Sequence, residues 1–306
     1  MSAVATRPRL GFLGAGWIGR QRLEAVAASG VAEVAAVADP AVEGALGSLG
    51  ELLEQPLDGV VIATPSALHA EQATAALGRG LAVYCQKPLG RTAEETRAVV
   101  EAARAADRLL GVDLCYRHVA SFRVARDVVR SGELGELVAA ELVFHNAYGP
   151  DKAWFYDPAL SGGGCLVDLG IHLVDLALWT LGRAGFERVE GRLHGAPVEQ
   201  WASAQLDEVR IACSWNLHAG QDAVIEASFH GSDGGVAVRN VGGSFYDFRC
   251  ERFRGTARET LAEPPDDWGG RAICDWARRL AAGERFSPAA DEYVRVAETL
   301  DRIYGR

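Results

Sequence analysis

The chain has 306 residues, 49% of them hydrophobic and 24% charged, a globular composition that excludes long disorder. Its 31 Lys and Arg against 41 Asp and Glu give a formal charge of −10. That balance argues against nucleic acid or an anionic membrane as the main partner. No uninterrupted apolar run reaches the roughly 18 residues of a membrane span, and no apolar leader precedes Leu10. Six scattered cysteines without a CxxC pair read as free thiols, with no metal site, so a cytoplasmic protein is expected.

In chain order, short apolar runs at 10–13, 34–38, 59–63, 81–85 and 109–115 read as buried strands. Between them, residues 18–29, 41–53, 67–79 and 93–106 read as helices, the last opened by a capping box at Thr92-Ala93-Glu94-Glu95. Alternation of this kind implies right-handed crossovers and a doubly wound parallel sheet, a Rossmann-type α/β domain. After Arg117 the pattern changes. Helices are expected at 121–131 and 166–181, with strands at 137–144, 187–194, 202–215, 223–230, 235–241 and 245–253. Period-two strands with Gly-rich turns imply a C-terminal α/β domain with a mostly antiparallel open sheet. Helices at 270–282 and 289–304 close the chain. The expected domains are 1–118, nucleotide-binding, and 119–306, for substrate binding and oligomerisation, with the C-terminal helices able to pack back on the first.

Gly14-Ala15-Gly16-Trp17-Ile18-Gly19 is a GxGxxG placed after the first strand and at the start of the first helix. In that context Gly14 permits the tight turn, Gly16 admits a pyrophosphate to the backbone, and Gly19 allows close helix–strand packing. Trp17 and Ile18 lie on the helix N-terminus, whose free N–H groups favour phosphate. Asp39, 20 residues after Gly19, closes the second strand where an acid would bind the adenosine ribose hydroxyls. No Lys or Arg occurs between Arg22 and Arg79, so a 2′-phosphate would meet Asp39 with no local cation beyond Arg20. NAD is therefore expected over NADP.

Only two of the 31 basic residues are lysines, Lys87 and Lys152. Lys87 follows the fourth strand in Cys85-Gln86-Lys87-Pro88, on the sheet edge where doubly wound folds bind ligands. An amine there is able to exchange a proton, which Arg cannot do. The helix at 166–181 is apolar apart from Asp168, His172 and Asp175, spaced i, i+4, i+7 as one stripe. A carboxylate beside an imidazole fixes its tautomer and raises its basicity. The glycines at 162–164 are expected to let substrate or cofactor approach the backbone. These parts fit hydride transfer to or from a nicotinamide, with Lys87 and His172 handling the hydroxyl proton and Asp168 orienting His172.

The sequence resembles the glucose–fructose oxidoreductase / inositol dehydrogenase / MocA family over essentially its whole length. The resemblance rests on GAGWIG at 14–19, ATPSALH at 63–69, QKP at 86–88, GGGCLVDLGIH at 162–172 and SGELGE at 131–136. It implies Lys87, Asp168 and His172 as the catalytic trio, and Thr64, Pro65 and His69 near the nicotinamide half of the cofactor. It also implies a sugar, cyclitol or related polyol substrate, and homodimers or homotetramers through the C-terminal sheet. The family's Glu-Lys-Pro is here Gln86-Lys87-Pro88, so an amide keeps a hydrogen bond to the nicotinamide ribose while removing an anion beside Lys87. Only 18 residues separate Asp39 from Asp58, a trimmed segment. Arg117, Lys152, Trp154 and Tyr156 are candidates to line a sugar site. The alternative is a nucleotide-binding sensor of the same fold without catalysis.

Overall fold

A computed structural model describes residues 7–306 of the chain. In chain order it holds β1 (Arg9–Leu13), α1 (Trp17–Ser29), β2 (Glu33–Ala38), α2 (Leu49–Leu53), β3 (Gly59–Ile62), α3 (His69–Gly78), β4 (Ala82–Cys85), α4 (Ala93–Ala106) and β5 (Leu110–Val112). Then come α5 (Ala120–Ser131), β6 (Leu137–Asn146), α6 (Pro158–Ser161) and α7 (Ile171–Leu181). Next are β7 (Val189–His194), β8 (Trp201–Leu206), β9 (Val209–Ser214), β10 (Ala223–Gly231), β11 (Gly235–Asn240), β12 (Phe248–Arg254) and β13 (Ala257–Ala262). The chain closes with α8 (Arg271–Ala281) and α9 (Asp291–Tyr304).

Two compact units divide these elements. The first takes the chain up to Leu114 together with Gly269–Val294, and the second takes Cys115–Trp268 with Arg295–Arg306. In the first unit the strands lie in the order β2-β1-β3-β4-β5, all parallel. Alternate residues of each strand serve opposite faces. Leu10, Phe12, Val61 and Tyr84 pack with Val26 of α1 and with Ile273, Trp276 and Ala277 of α8. Leu13, Val60, Ile62 and Val83 pack with Leu52, Ala73, Leu77, Val99 and Val100 from α2, α3 and α4. The sheet therefore has both faces covered, as a parallel sheet requires.

The helix expected over 41–53 forms only at its end. Gly44 has φ +80°, and Ser48, whose side chain accepts from the Glu51 N–H at 3.2 Å, begins α2 late. Residues 40–47 fold as turns tied to β2 by the Leu46 N–H, which donates to the Val37 carbonyl at 2.9 Å. Half of the capping box is present: the Thr92 hydroxyl accepts from the Glu95 N–H, while the Glu95 carboxylate reaches one residue further, to the Arg91 N–H at 2.7 Å.

In the second unit eight strands run β13-β12-β11-β10-β6-β9-β8-β7, antiparallel except for the central β6–β9 pair. The strand expected over 202–215 is a hairpin, because Asp207 takes a left-handed φ of 53° between β8 and β9. Strand β13, too charged to show period-two apolarity, is an addition. Inward residues such as Leu142, Phe144, Ile211 and Phe229 are buried, while Glu141, Gln205 and Arg210 of the other face are exposed.

The helix expected over 166–181 starts with a π turn at Leu166–Gly170, in which the Ile171 N–H bonds the Leu166 carbonyl, and continues as α7. The stretch Pro158–Leu181 is long and apolar enough by length and composition to cross a membrane, yet 83% of its most apolar window is buried inside the structure, as in a core helix. Its leading glycines serve the chain itself. A Cβ on Gly163 would overlap the Tyr304 hydroxyl, and one on Gly164 would overlap the Glu199 carbonyl. The Glu199 carboxylate accepts from the Gly164 N–H (2.8 Å), the Leu166 N–H (3.0 Å) and the Tyr304 hydroxyl (2.7 Å), satisfying the helix start. Gly164→Ala should therefore lower the unfolding free energy by about 2–3 kcal/mol, measured by urea denaturation. A change near zero would show that the Glu199 segment moves aside freely.

Candidate functional site

The first unit's strands all end on one edge, and the chain order reverses there: β2 lies on one side of β1 and β3 on the other. A crevice forms where neighbouring connections leave in opposite directions. The glycine turn sits at this point. Gly14 has φ +89°, and a Cβ there would lie 2.6 Å from the Ala63 carbonyl oxygen. Gly19 has no room either, since a Cβ would overlap the Gly14 carbonyl, whereas Gly16 faces open space with no heavy atom within 4 Å of a Cβ. Helix α1 begins at Trp17 with no side-chain cap and no acid in its first turn. Uncapped first-turn N–H groups and an open backbone are what an anion requires. Trp17 is 64% exposed on that end, with Ile18 half-buried beside it.

Asp39 sits at the turn as expected and is also part of it. One carboxylate oxygen accepts from the Ala15 N–H at 2.7 Å and the other from the Ala41 N–H at 2.9 Å. Each oxygen keeps a second lone pair for a ligand hydroxyl.

Across the crevice, the Thr64 hydroxyl donates to the Gln72 side-chain Oε1 at 2.6 Å, and Pro65 leads into a single 3-10 turn, Ser66–Leu68. His69 is 1% exposed, with Nδ1 2.6 Å from the Pro88 carbonyl and Nε2 2.7 Å from the Thr64 carbonyl. It links the loops after β3 and β4, so it acts through Thr64 and Lys87-Pro88. Burial pushes its imidazole down from the ordinary range, outweighing the two carbonyls that push it up, and the Lys87 charge adds to the burial effect.

Lys87, half-buried, follows Gln86, whose N–H continues the ladder to the Ile62 carbonyl at 2.9 Å. The Gln86 amide nitrogen donates to the Asp113 carboxylate, and Arg22 Nε donates to the same oxygen at 2.6 Å. An anion is therefore held one hydrogen bond from the Gln86 side chain, on Asp113 and paired with Arg22. Nothing in the local sequence ties an acid after β5 to a glutamine after β4, because their adjacency comes from the parallel register.

In the second unit, His172 is buried with its ring edge-on to Tyr116, centroids 4.9 Å apart. Burial pushes the Tyr116 phenol well above its ordinary range, the nearby Cys115, Tyr246 and Asp168 adding to the effect. The half-buried Asp168 accepts from the Trp215 indole N–H at 3.0 Å. Trp215 in turn meets the Tyr156 ring at 5.5 Å and the Phe155 ring at 6.3 Å, so the loop carrying Trp154 and Tyr156 packs on the residue that holds Asp168. Trp154 stacks on Phe155, and Lys152 is exposed. Trp215 was not legible beforehand; a tryptophan ending an alternating strand reads as core.

The stripe divides in two. Asp168 meets the Trp215 indole and His172 the Tyr116 ring, whereas Asp175, 1% exposed, is held by Arg117 through Nε at 2.9 and 3.0 Å and Nη2 at 2.5 Å. Arg117 thus forms a fork on a buried carboxylate.

A glycine turn at the reversal point of a covered parallel sheet defines a dinucleotide-binding α/β class. Residues 8–114 match the family described as oxidoreductase family, NAD-binding Rossmann fold, and residues 122–237 match the GFO/IDH/MocA C-terminal domain. The chain is 34% identical over 189 residues to the rhizopine catabolism protein MocA of Rhizobium meliloti, covering 58% of each chain. It is 30% identical over 296 residues to D-xylose 1-dehydrogenase (NADP(+)) 2 of Haloferax volcanii, covering 92% of this chain and 88% of that one. The solved structure of GenD2 from gentamicin A biosynthesis, in complex with NAD, superposes with a TM-score of 0.82 at 23% identity, covering 98% of this chain and 94% of that one. The chain belongs to the GFO/IDH/MocA oxidoreductase family. The alignments nevertheless span little more than half of some curated relatives, 58% of MocA and 56% of a 1,5-anhydro-D-fructose reductase from Ensifer adhaerens.

Removing the guanidinium from a buried carboxylate leaves an unpaired charge. Arg117→Ala should therefore destabilise the protein by about 3 kcal/mol, and Lys152→Ala by less than about 0.5 kcal/mol, in denaturant titrations. Equal small effects would show that the Arg117–Asp175 pair adds little to stability.

Proposed function

We propose that the protein is an NAD-linked oxidoreductase acting on a ring carbon of a sugar, cyclitol or related polyol. The observation that carries this reading is the open, uncapped glycine turn with Asp39 pinned to it. The residues present fit a dinucleotide: Gly16 leaves the space a pyrophosphate needs, and the first turn of α1 has N–H groups to offer it. When bound, the nicotinamide ring supplies the acceptor or donor of hydride. The chain's own residues hold and orient. Gly14, Gly16, Trp17, Ile18 and Gly19 seat the phosphates, Asp39 accepts from ribose hydroxyls, and Thr64, Pro65 and Gln86 line the nicotinamide side with His69 fixing their loops.

Oxidation of a carbinol takes a hydride from carbon and a proton from oxygen, and the proton goes to Lys87 Nζ or the His172 imidazole. Lys87 is one of only two lysines among 31 basic residues, and the one on the ligand-binding edge. Asp168, anchored by the Trp215 indole, orients His172. Lys152, Trp154 and Tyr156 belong to the loop that would meet the sugar. The helix-free face of the second unit's sheet is the surface for a homodimer or homotetramer, and sedimentation of the purified protein tests it.

Lys87→Ala and His172→Ala should each reduce turnover by about two to four orders of magnitude, what a general acid–base group contributes, with NADH affinity little changed. Screening NAD-linked activity against sugars, cyclitols and keto-sugars supplies the assay. Full activity in both variants would remove the acid–base assignment, and dinucleotide binding without turnover on any substrate would favour a sensor. Cofactor choice is a separate outcome. Relatives include an enzyme named for NADP(+) and a structure bound to NAD. With Asp39 opposite a 2′-phosphate, kcat/KM should favour NAD by about tenfold or more. Higher efficiency with NADP would overturn the assignment of Asp39.

A further inference from the structure

Arg22 and Asp113 form a buried ion pair in the first unit, made by side chains rather than by the ladder of its sheet. Arg22 comes from the buried side of α1 and Asp113 from the residue after β5; they are 5% and 1% exposed. Arg22 Nε donates to Asp113 Oδ2, and Arg22 Nη1 donates to the Gly269 carbonyl. The same Oδ2 accepts from Gln86 Nε2, while Asp113 Oδ1 is buried with no hydrogen-bond partner among the described residues. Breaking such a pair is costly, so a role in orienting its neighbour is a reason for keeping it buried.

That neighbour is a carboxamide, which has two faces of opposite character: an N–H donor and a carbonyl acceptor. Beside a buried carboxylate only one orientation is tolerated, because the flipped amide would set oxygen against oxygen in a dry environment. Gln86 is 8% exposed, and among the described residues no donor lies on its Oε1. Gln86 also leaves β4 on the edge where the crevice lies. We propose that Asp113, held by Arg22, is a positioning residue that locks the Gln86 amide with its nitrogen inward and so presents Oε1 as a fixed acceptor to a hydroxyl of the bound dinucleotide. The inference rests on the proposed dinucleotide function and adds to it the polarity of one contact. Asp113 in this way stands in for a carboxylate at position 86 itself.

Next to the trio in the chain are Lys87, which follows Gln86, and Cys85, at the end of β4 and under the Asp113 charge. Burial pushes the Cys85 thiol well above its ordinary range, with the Asp113 charge adding, so Cys85 stays protonated. The arrangement needs one anion shared between positions 86 and 113. Two carboxylates there would repel, and neither would donate, until one took up a proton. A protonated carboxyl introduced at position 86 would then donate its O–H as the amide does.

A double-substitution cycle in the full chain tests this, with NADH fluorescence titrations near pH 8 and pH 6 and thermal melting as readouts. Gln86→Glu should weaken NADH binding by about tenfold or more near pH 8 and recover most of it near pH 6. Asp113→Asn should weaken binding at both. Gln86→Glu with Asp113→Asn restores one anion and one amide, and should return to within about threefold of wild type at both pH values. Additive losses in the double variant, or a Gln86→Glu defect that does not change with pH, would overturn the proposal while wild-type binding leaves the functional reading standing. If Gln86→Glu does not fold, the double variant against Asp113→Asn alone decides by the same criterion. A wild-type protein that does not bind NADH defeats the functional reading and with it the ligand contact. In that case non-additive melting temperatures would still support the locked pair, and additive ones would overturn it.

Discussion

Five parallel strands that end on one edge release their chains together, and each chain leaves with backbone groups that the ladder no longer satisfies. Everything at the first unit's edge answers that constraint. Asp39 takes the N–H groups of Ala15 and Ala41, His69 stands between the carbonyls of Thr64 and Pro88, and the Asp113 N–H continues the ladder to the Cys85 carbonyl at 2.9 Å. The first turn of α1, by contrast, has no side-chain cap. An uncapped helix start beside a loop pinned by Asp39 suits an anionic ligand.

The second unit solves a similar problem at the start of one helix. Glu199 satisfies the N–H groups that a glycine run leaves exposed, Tyr304 closes over it, and the π turn that follows carries Asp168. An extra residue in a helical turn is often found at a functional position, because it re-aims a side chain without ending the helix. Here Asp168 meets Trp215, while His172, in the regular helix beyond, meets Tyr116.

Much of this was legible in the sequence because it is local. Strand and helix order follows from periodicity, the glycine turn from its place between a strand and a helix, and the Thr92 cap from four residues. The glycines at 162–164 were legible as necessary but not as to their purpose; they make room for Tyr304 and Glu199, which lie far away in sequence. The same applies to the partners of Gln86, Asp168 and Asp175. Asp113, Trp215 and Arg117 reach them from 27, 47 and 58 residues away, so their pairing is set by register and packing rather than by spacing. The helix expected over 41–53 failed for a local reason: Gly44 adopts a left-handed conformation in its middle.

The central strand of the second sheet has a consequence for how that unit forms. β7, β8 and β9 are a meander of adjacent hairpins, and β10 to β13 are another, each able to form from local contacts. β6 precedes both in the chain and lies between them, paired with β9 and β10. It can be joined only after the intervening chain, including the π turn and α7, has been closed into a loop, and long loops slow folding. Phe144 on β6 and Trp215 after β9 are also what surround His172 and Asp168. Pairing of β6 with β9 and β10 therefore also brings Phe144 and Trp215 into place beside His172 and Asp168.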